Sequence, residues 1–196
     1  MGKFFGQHFG GLLKFSGREA RKPFWLWAAF NMGLQFAATF AVILPIMFDM
    51  FQGIERFAEA HPDQVTRTYG PGNYSVQVHG YHPELIPDFS AMFMGLGAML
   101  LVNILLLAAA IVRRLHDCNR TGTWAILPLP FLATGFVMMP RMFAGISSSR
   151  GEPDISQFFM LFFNNLIYLA TLGVLIVLCA QPGTSGENRF GPPPAV

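Results

Sequence analysis

Four long stretches of the chain carry no charged residue at all: 23–48, 89–112, 121–140 and 155–181. A helix rises about 1.5 Å per residue, so roughly 20 uncharged residues suffice to cross the hydrocarbon core of a bilayer. An Arg or Lys at mid-span costs about 2.5–3.5 kcal/mol on insertion scales, which makes such windows a strong signal. The pattern predicts four transmembrane helices, the third being the shortest and broken by Pro128 and Pro130.

The segments between the spans have patterns of their own. At about 100° per residue, Phe4, Phe5, Phe9, Leu12, Leu13 and Phe15 fall on one face and Lys3, Gly6, Gln7, Gly10 and Lys14 on the other. This predicts an amphipathic segment lying in the inner-leaflet interface; its glycines weaken it as a helix, and a frayed tail is the plainer alternative. Ser16-Gly17-Arg18-Glu19 reads as a capping box, with Ser16 as N-cap, and Pro23 demands a bend or break just before it. Residues 64–69 and 74–78 are rich in β-formers and flank Gly70-Pro71-Gly72-Asn73, so a hairpin over 64–78 with a four-residue turn is expected. His61, His79 and His82 lie in the same loop; they read as solvated histidines, with metal binding as the competing account.

The resulting fold class is an all-α membrane protein with four transmembrane helices, an interfacial N-terminal segment and a small external β-hairpin. One membrane domain covers 1–196: interfacial segment 3–22, spans at 23–48, 89–112, 121–140 and 155–181, external loops 49–88 and 141–154, a cytoplasmic loop 113–120 and a cytoplasmic tail 182–196.

Composition agrees with lipid as the solvent. Charged residues are 12% and hydrophobic residues 53% of the 196, whereas a soluble domain is about one quarter charged. Charge distribution sets the orientation. Lys3, Lys14, Arg18, Arg21 and Lys22 precede the first span with only Glu19 against them, and Arg113, Arg114 and Arg120 follow the second. The loop between carries Asp49, Glu55, Glu59, Asp63, Glu84 and Asp88 against Arg56 and Arg67. The positive-inside rule then places both termini in the cytoplasm. The first span is too long and too far from the start for a secretory signal, and Gly6 stands where myristoylation needs Ser or Thr. Cys118 and Cys179 fall near the reducing face, so no disulfide framework is expected, and Cys118 beside His116 and Asp117 has no zinc-site spacing. A net charge of +2 gives no field for nucleic acid.

The candidate chemistry sits at the ends of the spans. Arg113 and Asp117 are four apart and are expected to pair on a continuing helix; Arg and His there suit the C-terminal dipole. Asn119 tolerates a left-handed turn and Thr121 is placed to cap the third helix. Arg113-Arg114-Leu115-His116-Asp117, continuing through Arg120-Thr121-Gly122 to Trp124, resembles the signature of a bacterial inner-membrane family, domain of unknown function 805. Phe15-Ser16-Gly17-Arg18 with Arg21 and Phe24-Trp25 is similar to its N-terminal motif, and Gly186-Glu187-Asn188-Arg189-Phe190-Gly191-Pro192 to its C-terminal one. Asn119 stands where that family commonly has Gly, and the external loop is longer. The resemblance implies a multi-span inner-membrane protein of unestablished activity.

All three motifs fall on one membrane face. The candidate ligand-binding set is Arg18, Arg21, Arg113, Arg114, His116, Asp117, Arg120, Asn188 and Arg189, with Lys22 and Glu19 beside them. Arginines at an inner-leaflet surface suit anionic lipid head groups, at about 1 kcal/mol per basic residue, or a protein partner, including a second copy of the chain. The expected function is a non-enzymatic membrane module without cofactor. A small-solute transporter or channel built on Asn31, Gln35, Asn103, Asn164 and Asn165 is the alternative, though no Asp, Glu, Lys, Arg or His lies in the core of a span to couple it. An enzyme ranks lower. His116 and Asp117, adjacent on a helix, diverge by about 100° and form no dyad.

Overall fold

The computed structural model describes residues 2–87, 89–148 and 155–194. A short helix α1 (Gly2–Gly10) is followed by a long α2 (Arg21–Ala60), a hairpin of β1 (Val65–Gly70) and β2 (Asn73–Val78), then α3 (Phe89–Asp117), α4 (Leu129–Ser148) and α5 (Ile155–Ala180). Four helical stretches are long and apolar enough to cross a membrane: Arg21–Ala60, Pro83–Asp117, Gly122–Phe143 and Ile155–Ala180. In the bundle, α2 packs on α3 and α4 on α5, and α3 joins the two pairs.

Helix α2 has 40 residues and so extends about 60 Å, twice the thickness of a hydrocarbon core. The surplus is the stretch from Asp49 to Ala60, which reads as loop from its charges but is helical. Its Met, Gln, Glu, Arg and Ala residues are good helix formers, Arg56 donates to Gln52 at 2.8 Å one turn back, and Phe57 and Ala58 are buried. Pro45 lies inside α2, as membrane helices tolerate. Helix α3 likewise runs through Arg113, Arg114, His116 and Asp117, residues expected in a loop. Pro128 and Pro130 interrupt the third apolar stretch as expected, the α-helix beginning only at Leu129. They flank the start of α4, after a 3₁₀ turn at Gly122–Ile126, where a missing N–H costs nothing. Of the expected loop 141–154, the part to Ser148 is helical and 149–154 lie outside the described residues, as do Asp88 and the last two residues of the tail.

The hairpin pairs in antiparallel register from Val65↔Val78 to Gly70↔Asn73. Its turn is therefore Pro71-Gly72 alone, two residues rather than four. Pro71 at i+1 and Gly72 at φ +75° match the demands of a type II turn. Tyr74 donates to Glu55 at 2.8 Å and Arg67 pairs with the same carboxylate at 3.6 Å, fixing the hairpin to the extended part of α2.

Two capping expectations are corrected. Helix α2 starts at Arg21 with Ala20 at the N-cap and no side-chain cap, because Pro23 fits only a first turn. Ser16 and Glu19 therefore form no capping box. Thr121 caps nothing; its hydroxyl meets Thr123 Oγ1 at 2.7 Å. The amphipathic face of the N-terminal segment also splits. Phe4, Phe5 and Leu12 pack on the core, but Phe9 and Leu13 are 50% and 90% exposed.

The best-buried core lies at one end of the bundle, where Phe24, Trp27, Ala110, Leu115, Leu175, Leu178 and Cys179 meet. Elsewhere the spans present Phe36, Phe40, Leu44, Leu101, Leu105, Phe163 and Val177 outward, as a lipid-facing surface would.

Candidate functional site

Three chain segments meet on top of that core: residues 14–20 ahead of α2, the last turn of α3, and residues 181–191 beyond α5. Asp117, the last residue of α3, is the hub. Arg18 places Nε at 3.0 Å and Nη2 at 2.9 Å from Asp117 Oδ1. Its other N–H groups donate to the carbonyls of Gly186 (2.7 Å), Gly191 (3.2 Å) and Thr184 (2.5 Å), so all five are used. Arg114, fully buried, holds the other oxygen, Oδ2. It also donates to the Cys179 carbonyl at 2.8 Å, to the Gln181 carbonyl and to that of Glu19 at 3.4 Å. The end of α5 leaves carbonyls without helical partners, and a buried guanidinium both satisfies them and complements the helix dipole. Thr184 N donates to the Asp117 carbonyl at 2.9 Å. Gly183 passes so close that an added Cβ would stand 2.6 Å from Asp117 Cγ.

A second cluster centres on Glu19. Arg113 donates Nε to Oε2 at 2.9 Å, and its Nη2 forms an ion pair with the same oxygen at 2.8 Å; Nη1 donates to the carbonyls of Gly11 (2.9 Å) and Lys14 (2.6 Å). Oε1 faces His8 Nε2 at 2.9 Å, while His8 Nδ1 faces the Phe4 carbonyl at 2.9 Å. Both ring nitrogens thus face oxygen atoms of the chain. The ring stacks on Trp27 with centroids 4.8 Å apart.

The third cluster docks the tail. Phe190 lies flat on His116, centroids 3.8 Å apart and planes 4° off parallel, and His116 Nδ1 donates to the Gly17 carbonyl at 3.1 Å. Asn188 donates to the His116 carbonyl at 3.0 Å and to Thr184 Oγ1 at 2.8 Å, while its Oδ1 accepts from Phe190 N at 2.9 Å. Arg189 reaches the Asn119 carbonyl at 3.1 Å, and Asn119 takes the left-handed conformation, φ +56°.

The sequence-derived pairing of Arg113 with Asp117 is not made. Both lie on one continuous helix, but the 14–20 segment offers Glu19 to Arg113 and Arg18 to Asp117, and Arg114 at i,i+3 takes the remaining oxygen. The nine candidates separate into two groups. Arg18, Arg113, Arg114, His116, Asp117 and Asn188 are joined in the interlocked network. Arg21 and Arg120 are exposed with no ion pair among the described residues, and Arg189 is exposed at the rim. His8, Thr184 and Gly183 escaped sequence reasoning. The only hint for His8 was a histidine set between phenylalanines, and the tail glycine gave none.

Beside the Glu19 cluster opens a cavity of about 530 Å³ whose lining includes Gln7, Gly10, Lys14, Ser16, Gly17 and Arg113. Cys118 places Sγ 3.7 Å from the Gln181 carbonyl; burial pushes its thiol above the ordinary value, against the pull of Arg114.

The amides named for a transport path fall in two places. Asn103 donates to the Asn31 backbone carbonyl at 2.9 Å, tying α3 to α2, and Asn31 Oδ1 is buried without a partner among the described residues. Gln35 lines one cavity together with Asn103 and another together with Asn164 and Asn165. Of the loop histidines, His82 faces Glu84 (3.1 Å) and the His79 carbonyl (3.0 Å), and His79 faces Thr66 Oγ1 (2.7 Å). Among the described residues no group of three His, Cys, Asp or Glu is placed to hold a metal.

A family described as "Protein of unknown function (DUF805)" has a model that matches residues 12–192 of the chain, from just before the Arg18 segment to just past the docked tail. No curated protein and no solved structure matches it.

Proposed function

The chain belongs to the DUF805 family, and we propose that it is a non-enzymatic inner-membrane module whose basic end binds anionic lipid head groups. One observation carries this reading: the exposed charge at that end is unbalanced. Lys14, Arg21, Lys22, Arg120 and Arg189 are exposed, while Glu19 and Asp117 are buried in ion pairs, and Glu187 is the exposed carboxylate of the tail. The arginines of the network are not the ligands. Their donors face carboxylates and carbonyls of the chain itself, and their work is to fix the three segments that carry the rim. The cavity beside Lys14 and Ser16 gives a head group somewhere to enter.

The same asymmetry supports an orientation with both termini in the bacterial cytoplasm, since Asp49, Glu55, Glu59, Asp63 and Glu84 crowd the opposite end. Retention of phosphatidylglycerol against phosphatidylcholine by the purified protein, read by native mass spectrometry, tests the proposal. At about 1 kcal/mol per cation near the surface, each removed charge is worth about fivefold in preference. A Lys14→Ala, Arg21→Ala, Lys22→Ala, Arg120→Ala chain should keep its fold and lose the preference. Equal retention of the two lipids by the wild type, or an unchanged preference in the variant, refutes it.

A further inference from the structure

Within the spans, away from the arginine network, a cavity of about 310 Å³ lies where α2, α3, α4 and α5 meet. Its walls are mostly Phe, Leu and Met, but Gln35 of α2 and Asn164, Asn165 and Tyr168 of α5 reach it. Asn164 spends a donor on the Phe131 carbonyl at 2.9 Å. The amides of Gln35 and Asn165 and the hydroxyl of Tyr168 make no hydrogen bond among the described residues. In hydrocarbon an unpartnered amide is costly, and chains normally satisfy such groups within the protein. Asn103 does so with Asn31 one turn of α2 earlier. Three unpartnered polar groups on one cavity are therefore an unmet demand for a hydrogen-bonding guest.

We propose that this cavity binds a neutral, lipid-phase molecule carrying a carbonyl group on an apolar body. Neutrality follows from the lining, which has no charged side chain. A carbonyl oxygen, with two lone pairs, takes donors from two of Asn165, Gln35 and Tyr168, while Phe131 and Phe136 cover a flat or chain-like body. Quinone rings and acyl esters share this chemistry. Both can enter from the bilayer without passing the arginine network, so the site stands independently of head-group binding.

The full-length protein in a glycosidic detergent is titrated with decylubiquinone and, in a separate arm, with dioctanoylglycerol. Saturable binding of either at one per chain is expected, and the arm that saturates names the source. Gln35→Leu with Asn165→Leu keeps the volume apolar and removes donors. It should weaken binding about tenfold with an unchanged or higher melting temperature. In Gly135→Leu, the side chain fills the cavity, because the added Cβ already stands 3.4 Å from Asn164 Nδ2, and binding should be lost. Failure of both probes to saturate, wild-type binding by the leucine pair, or a fall in its melting temperature overturns the proposal, the last by showing that the amides hold the bundle.

Discussion

Replacing Asp117 with Asn keeps the side chain's shape and removes its charge from between two guanidinium groups. Arg18 and Asp117 are 1% and 5% exposed as side chains, and Arg114 is 0%, so solvent screening does not soften the loss. Breaking a buried pair by removing one partner costs about 3–5 kcal/mol, and here one carboxylate serves two arginines. The new amide also turns donors toward at least one guanidinium, which has none to accept them. In a chain of this size each kcal/mol moves the melting temperature by roughly 2–4 °C, so a fall of roughly 6–20 °C is expected in detergent. The second arm is a cycle with Arg18→Met. With the partner charge gone, Arg18→Met should cost less in the Asp117→Asn background than in wild type, giving a coupling of at least about 1 kcal/mol. A variant melting within about 2 °C of wild type, or strictly additive costs, would refute the view that Asp117 locks the three segments.

Gly183→Ala puts a methyl group against the Asp117 carboxylate, 2.6 Å from Cγ, so the tail must lift. A loss of about 1–3 kcal/mol and earlier cleavage of the tail by added protease should follow, and unchanged protease resistance would contradict the close passage. Cys118 has a thiol raised chiefly by burial. Its alkylation by iodoacetamide should be slower than that of a free thiol at pH 8 and gain on it as pH rises toward the raised value. The stability linked to the neutral thiol is present below the ordinary thiol value and is lost as pH rises through the raised one; labelling at the free-thiol rate would place Cys118 in solvent.

The spans were legible because charge-free windows report the solvent directly: 23–48 and 155–181 sit within or on α2 and α5 almost residue for residue. Their ends were not, because a helix stops where its hydrogen bonds stop. Residues 49–60 have the charges of a loop and the propensities of a helix, and propensity with tertiary packing of Phe57 decided the matter. The hairpin was legible from β-formers about Pro71-Gly72, but only cross-strand register shows that Gly70 and Asn73 belong to the strands. In the arginine network, residue identity was legible and partnership was not. A local rule pairs Arg113 with Asp117, yet segments 99 and 94 residues away in sequence supply the ligands for Asp117 and Arg113.

The polar groups of this chain obey one rule at the basic end and break it in the middle. Around Asp117 and Glu19, long arginine side chains fold back onto the carbonyls left bare by the end of α5 and by the turns at Gly11, Lys14 and Gly186, so charge and backbone satisfy each other. Such saturation leaves little to bind a ligand with, so the proposed head-group recognition rests on the exposed Lys14, Arg21, Lys22 and Arg120. In the bilayer interior the demand for partners is stricter, since no water competes, and there Asn103 meets Asn31 while Gln35, Asn165 and Tyr168 make no hydrogen bond among the described residues. A bundle needing only cohesion would carry Leu at those positions and be more stable for it. Their unpaired amides therefore point to selection for contact with something that enters from the lipid.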